Sequence, residues 1–448
     1  MKKYLIKNIY VASDGYYGNY DVLINPPFIE RIENIIDDAN SNIIEISGEN
    51  KILIPGMIDD QVHFREPGLT HKGDIYTESR AAIAGGITSY MEMSNTKPPA
   101  ISISELENKY TLAKEKSLAN YSFYLGATND NLDEIQKADY SKICGVKIFM
   151  GSSTGNLLVD KKETIEKLFS ECRALIAAHC EDDTIIKKNL DKIVEEYGFD
   201  LAPYFHAIIR NEDACYASSK HAVEVAKKYN TRLHILHISS AKELSLFDNQ
   251  LLLKEKRITA EACIHHLWFS DEDYEKLGNK IKWNPAIKTI YDKESLIEAV
   301  NNNIIDVIAT DHAPHTLEEK SKHLLEAPSG GPLVQHALPA LFDLYKQKKI
   351  SIETIVQKTS HNVADIFKIK NRGYIREGYY ADLVVMDLNT PSSVTKDNIL
   401  YKCQWSPFEG YTFSASIEKT FVNGHLIYDS GKFDESKKGE RLEFDFHL

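Results

Sequence analysis

Eight short apolar runs, each followed by a helix-like stretch, constrain this chain more than any other feature of its sequence. They are ILIPGMIDDQVHF (52–64), GGITSYMEM (85–93), YSFYLGAT (121–128), GVKIFM (145–150), ALIAAHC (174–180), RLHILHI (232–238), ITAEACIHH (258–266) and DVIATDH (306–312). The intervening segments, such as THKGDIYTESRAAIAGG and NEDACYASSKHAVEVAKKYN, carry helical periodicity. Continuous apolar strands alternating with helices predict a parallel sheet covered on both faces. Eight such units predict an α/β fold, a (β/α)8 TIM barrel.

Polar residues keep a fixed phase within this pattern. His63, Asn95, Lys147, His179, His237, His265/His266 and Asp311 fall at or just past the C-terminal ends of the runs. In a (β/α)8 barrel those ends converge on one face, where active sites are built. Scattered surface histidines would not hold that phase over seven strands.

The flanks read differently. Residues 1–52 and 369–448 hold short alternating strands and turns, including YLIKNIYVAS, DVLINPPFIERIENI, YYADLVVMDL and KTFVNGHLIYDSG. They are expected to form one small composite β-domain beside a barrel spanning 53–368. The tail DESKKGERLEFDFHL reads as charged and peripheral, with LEFDF a candidate terminal strand.

Composition narrows the function. The 448 residues, 43% of them apolar, can bury a large core. A net charge of −13 without a basic run argues against nucleic acid. No apolar run approaches the roughly 18 residues of a spanning helix, so no membrane association is expected. Lys7 and Asn8 interrupt the apolar part of the start MKKYLIKNIYVAS, which reads as a first strand and not a signal peptide. The six cysteines form no CxxC pair, so free thiols in a reducing cytoplasm are expected.

A strand-end histidine alone can be a satisfied polar residue near the core. His179 and His237 on adjacent strands, with His63 and Asp311 on the first and eighth, favour a metal, and imidazole with carboxylate suits zinc. Lys147 is odder, because an ammonium with a pKa near 10.4 would be repelled by a cation. Either it snorkels from the barrel mouth, or its amine reacts with CO2 to give a carbamate whose two oxygens bridge metals. Asp311 in IATDHAPH can cap a helix, or bind metal and move a proton. A bound zinc lowers the pKa of water from 15.7 to about 7, and Asp311 could exchange protons with that water as general acid–base. Arg65, Asn95 and His315 are candidate substrate anchors, since arginine matches a carboxylate bidentately. Their plainer readings are an ion pair with Glu66, a turn residue and a loop residue.

HFREPG, AGGITSYMEMSNTKP, GVKIFM, AAHCED, HILHISS, the HHL of ACIHHLWF, WNPAIK and TDHAPH resemble the ordered motif series of the dihydroorotases, metal-dependent members of the cyclic amidohydrolase superfamily. APSGGP, GYIREGYYADLVV, WSPFEG and TFVNGHLIYD extend the resemblance over nearly the whole chain. It implies that His63 binds the more exposed metal, Lys147 is the carbamylated bridge, and His179 and His237 hold the second metal. Asp311 would be ligand and general acid–base. Arg65, Asn95 and His315 would hold the substrate α-carboxylate, with Asn284 and the Ala327–Gly331 loop closing on the ring.

The implied activity is the reversible cyclisation of N-carbamoyl-L-aspartate to dihydroorotate with loss of water, the third step of pyrimidine synthesis. The implied cofactor is zinc, one or two ions per chain. A homodimer and an association with aspartate transcarbamoylase are the implied assemblies. Arg65 disfavours an allantoinase, a family that resembles this region but tends to carry Asn at this position, and a dihydropyrimidinase or hydantoinase, whose uncharged rings do not need this anchor. Gln61 departs from the family, which has histidine there, and a glutamine amide is a poor zinc ligand beside imidazole. Ser94, Ala286 and Lys288 are milder departures. A catalytically silent scaffold is the alternative that Gln61 supports, and the retention of every other site residue opposes it.

Overall fold

The structure, a computed structural model, describes residues 2–37, 42–151 and 157–446. Eight parallel strands form the barrel: β1 (Met57–Val62), β2 (Ile87–Glu92), β3 (Asn120–Phe123), β4 (Val146–Met150), β5 (Ile176–Cys180), β6 (Leu233–Ile235), β7 (Ile258–Cys263) and β8 (Val307–Ala309). β1 to β3 pair in order, and β4 to β8 pair in order after Leu125–Gly126, which lies beside β4. The ring closes where the His63 N–H donates to the His312 carbonyl at 2.7 Å. Nearly every strand residue is buried, which is why the runs read as continuous and not alternating. The predicted TIM barrel is what forms.

Two features differ from the sequence reading. The first apolar run is two strands. Ile52–Pro55 joins a separate sheet, and only Met57–Val62 enters the barrel. The partners change at Gly56, whose N–H donates to the Asp382 carbonyl while that of Met57 donates to Gly86. A Cβ on Gly56 would stand 2.2 Å from the Thr88 side chain, so only glycine fits the crossing. Lys147 also departs from the expected phase. It is second in the five-residue β4, so its long side chain rises from within the barrel wall.

Both chain ends build the second sheet. Ile52–Pro55 lies between Lys3–Ser13, parallel to it, and Leu383–Asp387, antiparallel to it. Tyr16–Asn25 and Phe28–Glu33 extend one side, and Ser416–Val422, His425–Asp429 and Lys432–Phe433 the other. Its inner face packs Ile6, Val11, Val22, Leu53, Leu383, Val385 and Phe421.

The tail is not peripheral. Leu442 (0% exposed) and Phe444 join Ile58, Met91, Leu236, Val307, Val363 and Phe367 in one cluster at the barrel floor. The Leu442 N–H donates to the Tyr121 carbonyl at 2.9 Å, so the LEFDF segment is anchored to β3. The six cysteines are all free. Among the described residues no helix is long and apolar enough to cross a membrane.

Candidate active site

The strand ends surround a cavity of about 670 Å³ lined by Gln61, His63, Arg65, Asn95, Lys147, His179, His237, Asn284, Asp311 and His315, among others. The candidate metal, catalytic and substrate-binding residues of the sequence therefore reach one space. His265 and His266 do not line it. They fill the wall behind, with the His265 ring stacked on Trp283 at 4.5 Å.

Three of these residues sit at positive φ, a region costly for side chains with a Cβ: Arg65 (73°), His237 (40°) and Asp311 (47°). Strain of this kind clusters where geometry serves function. Neighbouring groups hold it in place. The Arg65 N–H donates to Glu92 Oε1 at 3.2 Å, the His237 N–H to Glu261 Oε1 at 3.0 Å, and Trp283 Nε1 to the Asp311 carbonyl at 3.3 Å.

His179 and His237 face each other from β5 and the end of β6, with Nδ1 to Nε2 at 2.9 Å. His179 Nε2 donates to Glu181 Oε2 at 3.1 Å, so Nδ1 carries the lone pair. The Arg210 guanidinium caps the same Glu181 oxygen from the connection before the Glu212–Tyr229 helix. Burial works against the Glu181 charge, yet Arg210 and the His179 hydrogen bond hold its carboxyl well below the usual range. His237 Nδ1 is buried without a partner. Burial, then the neighbouring His179 and Lys147, push the His237 imidazole well below its ordinary pKa. The facing nitrogens of the two rings close on one point, and with one ring backed by a carboxylate they fit a metal ion and its supporting shell.

A second pair faces this one. His63 Nδ1 donates to Asn95 Oδ1 at 2.7 Å, which turns the lone pair of Nε2 toward Asp311 Oδ1 at 3.2 Å. Asn95 thus orients His63, and only its amide nitrogen remains for a ligand. A lone pair facing a carboxylate calls for a cation between them, so His63 and Asp311 also suit a metal. Gln61 does not complete this set. Its amide Nε2 donates to Asp311 Oδ1 at 3.2 Å, and its Oε1 accepts from the Cys263 thiol at 3.6 Å. It acts here as a donor to Asp311.

Lys147 makes no ion pair with any described carboxylate, and its Nζ lies 4.4 Å over the Phe149 ring. Burial pushes its pKa down to about 7, with Asp311 pulling the other way. Roughly half of such amines are uncharged at pH 7, against fewer than one in a thousand for a free lysine. That makes Lys147 nucleophilic, and carbamylation is the reading this environment suits.

The substrate end holds Arg65, whose Nε donates to the Pro314 carbonyl at 3.0 Å while Nη2 lies 3.0 Å from His315 Nε2. His315 donates from Nε2 to the Ser329 carbonyl at 3.0 Å and accepts at Nδ1 from Lys72 at 2.9 Å. Burial, then Arg65, push its imidazole well below the ordinary pKa, and the charges beside it are Arg65 and the Lys72–Glu319 ion pair at 2.9 Å. Asn284 Oδ1 accepts from the Ser329 hydroxyl at 2.8 Å, tying the 328–330 loop to the site. Sequence reasoning missed Glu181 and Lys72. Glu181 stands two residues after His179, the spacing that returns a side chain to the same face in extended chain, and that was its one available signal.

Two facing histidines, a histidine–carboxylate pair and a buried lysine at the open end of a barrel are an arrangement suited to metal-assisted hydrolysis. The sequence model of the Amidohydrolase family matches residues 52–427, and the chain belongs to that family. Among curated proteins it is 32% identical to the dihydroorotase of Methanosphaera stadtmanae, covering 88% of this chain and 92% of that protein. It is 30% identical to the dihydroorotase of Methanosarcina acetivorans, covering 98% of each. The L-hydantoinase of Arthrobacter aurescens shares the fold, with a TM-score of 0.92 and 23% identity over 99% of this chain and 100% of that one. A D-hydantoinase from a Bacillus sp. does so with a TM-score of 0.88.

Proposed function

We propose that the protein is a dihydroorotase, interconverting N-carbamoyl-L-aspartate and dihydroorotate. The observation that carries this reading is Arg65, a guanidinium that burial leaves cationic with a pKa of about 10, at the rim of the metal-ligand cavity beside His315. Within the described protein its Nε and its backbone N–H donate to the Pro314 carbonyl and Glu92, so guanidinium donors remain for a carboxylate on the ring. Hydantoin and dihydrouracil rings offer no such group. The dihydroorotase relatives support the same reading.

Zinc would be held by His179 and His237 with the carbamate of Lys147, and by His63 with Asp311. When bound, it supplies a Lewis acid that polarises the reacting carbonyl and makes water nucleophilic near neutral pH. The remaining steps belong to the chain. Arg65 and the amide nitrogen of Asn95 fix the α-carboxylate, His315 stands beside Arg65 with its Nε2 turned to the Ser329 carbonyl, and the 328–330 loop with Asn284 covers the ring. In hydrolysis Asp311 accepts a proton from the attacking water and returns it to the ring nitrogen as the C–N bond breaks. In cyclisation the ureido nitrogen attacks the β-carboxyl carbon, Asp311 takes its proton, and water leaves. The carbamoyl-aspartate dianion consumes one proton to give the dihydroorotate monoanion, so cyclisation is favoured as pH falls.

A substrate panel tests this. Purified protein supplied with zinc and bicarbonate should cyclise carbamoyl-aspartate, lose activity to a chelator, and turn over hydantoin and dihydrouracil poorly. Preference for the uncharged rings would move the assignment to the hydantoinase type. No turnover by a zinc-loaded protein would favour a silent scaffold, for which a complex with aspartate transcarbamoylase is the partner to seek. A homodimer is the expected assembly.

A further inference from the structure

Inside the barrel, below the catalytic face, three ionisable side chains converge: Asp60 from β1, His234 from β6 and Glu261 from β7, all at 0% exposure. His234 Nε2 stands 3.2 Å from Asp60 Oδ2 and 3.5 Å from Glu261 Oε2. Thr259 fixes which nitrogen of the ring faces the carboxylates. Its hydroxyl donates to the Leu233 carbonyl at 3.4 Å and accepts from His234 Nδ1 at 2.7 Å. In the neutral ring Nε2 is therefore a lone pair aimed among carboxylate oxygens.

Neither oxygen of Asp60, nor Glu261 Oε2, nor His234 Nε2 has a hydrogen-bond partner. The other groups nearby are committed elsewhere. Glu261 Oε1 accepts from the His237 N–H and lies 3.2 Å from Cys263 Sγ, and the Tyr124 hydroxyl donates to the backbone carbonyl of Asp60 at 3.0 Å. The Phe367 ring lies against His234 with centroids 5.8 Å apart. Buried carboxylates without partners are strongly unfavourable, so a positive charge belongs among these atoms.

A proton on Nε2 is one source of that charge, since against burial the Asp60 and Glu261 carboxylates raise the His234 pKa to about 9, but one proton points in a single direction and cannot serve both carboxylates equally. A metal ion bound at about 2.0–2.2 Å in tetrahedral geometry holds its donors about 3.3–3.6 Å apart. The two separations measured from Nε2 match that spacing. One neutral imidazole and two carboxylates also balance a divalent ion, and Thr259 fixes the ring as supporting groups do for metal-bound histidine.

We propose that Asp60, His234 and Glu261 form a second, buried divalent-cation site of the zinc type, separate from the catalytic cradle. It is closed to substrate, and its ion enters as the chain folds. Because Glu261 also holds the backbone N–H of His237 at positive φ, this ion braces one of the catalytic ligands from below. The inference does not depend on which ring the catalytic face opens.

Crystals of the zinc-supplied protein, measured above and below the zinc absorption edge, test this directly. An anomalous peak bonded to His234 Nε2, Asp60 and Glu261 is expected in addition to any at His179 and His237. Asp60→Asn should lose that peak and about one equivalent of zinc while keeping the catalytic-face peak. His179→Ala should show the reverse. A wild-type map with no peak among these three residues overturns the proposal, as does Asp60→Asn with unchanged zinc content. Should Asp60→Asn fail to fold, the wild-type map still decides.

Discussion

The Gln61 amide nitrogen donates to Asp311 Oδ1 across 3.2 Å, joining the first and eighth barrel strands at the catalytic face. A side chain at this position that offered a lone pair would share a cation with Asp311. The amide instead restrains Asp311 by a hydrogen bond and leaves the His63–Asp311 pair one strong donor short. Gln61→His should raise the zinc held at the catalytic face by about one equivalent, counted by titration against a competing chelator. An unchanged content would mean that the amide already serves as well as imidazole.

Carbamylation of Lys147 should follow the state of its amine. CO2 adds to the neutral form, and burial sets the pKa at about 7. The amine is thus mostly protonated and unreactive below that pH and mostly neutral above it. Incorporation of ¹³C-bicarbonate, read by NMR on metal-free protein, should rise through pH 7 and disappear in Lys147→Ala. In that variant metal retention should collapse, and small carboxylic acids should restore part of the activity. Label uptake that ignores pH would count against the amine as its site.

Glu181 fixes the tautomer of His179 and is itself fixed by Arg210. Glu181→Gln keeps the shape but weakens the acceptor. Loss of such a supporting carboxylate costs roughly 10–100-fold in metal affinity. Competition with a zinc indicator would measure it, and thermal unfolding should show the fold intact.

Arg65→Gln separates recognition from chemistry. Charge-assisted hydrogen bonds contribute about 1.5–3 kcal/mol each, so kcat/KM for carbamoyl-aspartate should fall about 10- to 100-fold or more. Slow turnover of an uncharged ring should change little. Equal losses on both substrates would assign Arg65 to the fold of the site and not to the carboxylate.

The barrel was legible because its strands are covered on both faces, so each appears as an unbroken apolar run that ends in a polar residue. His63, His179, His237 and Asp311 stood out for that reason. Groups that act through partners distant in sequence did not. Arg210 comes from a helical connection whose sequence says nothing of Glu181, and Asp60 and His234 point into the barrel from strands far apart along the chain. The tail was misread because its apolar residues alternate with charges, and its partners at Tyr121 and Ile369 lie well upstream. The division at Gly56 left only one glycine as a trace.

The sheet built from both chain ends also bears on how the protein is made. Leu53 pairs with Val385, so one edge of Ile52–Pro55 stays open until about 330 further residues have been synthesised. During that interval Ile52–Pro55 presents an unfinished strand edge of the kind that recruits other chains. Truncation before Leu383 would leave that edge without its partner strand for good.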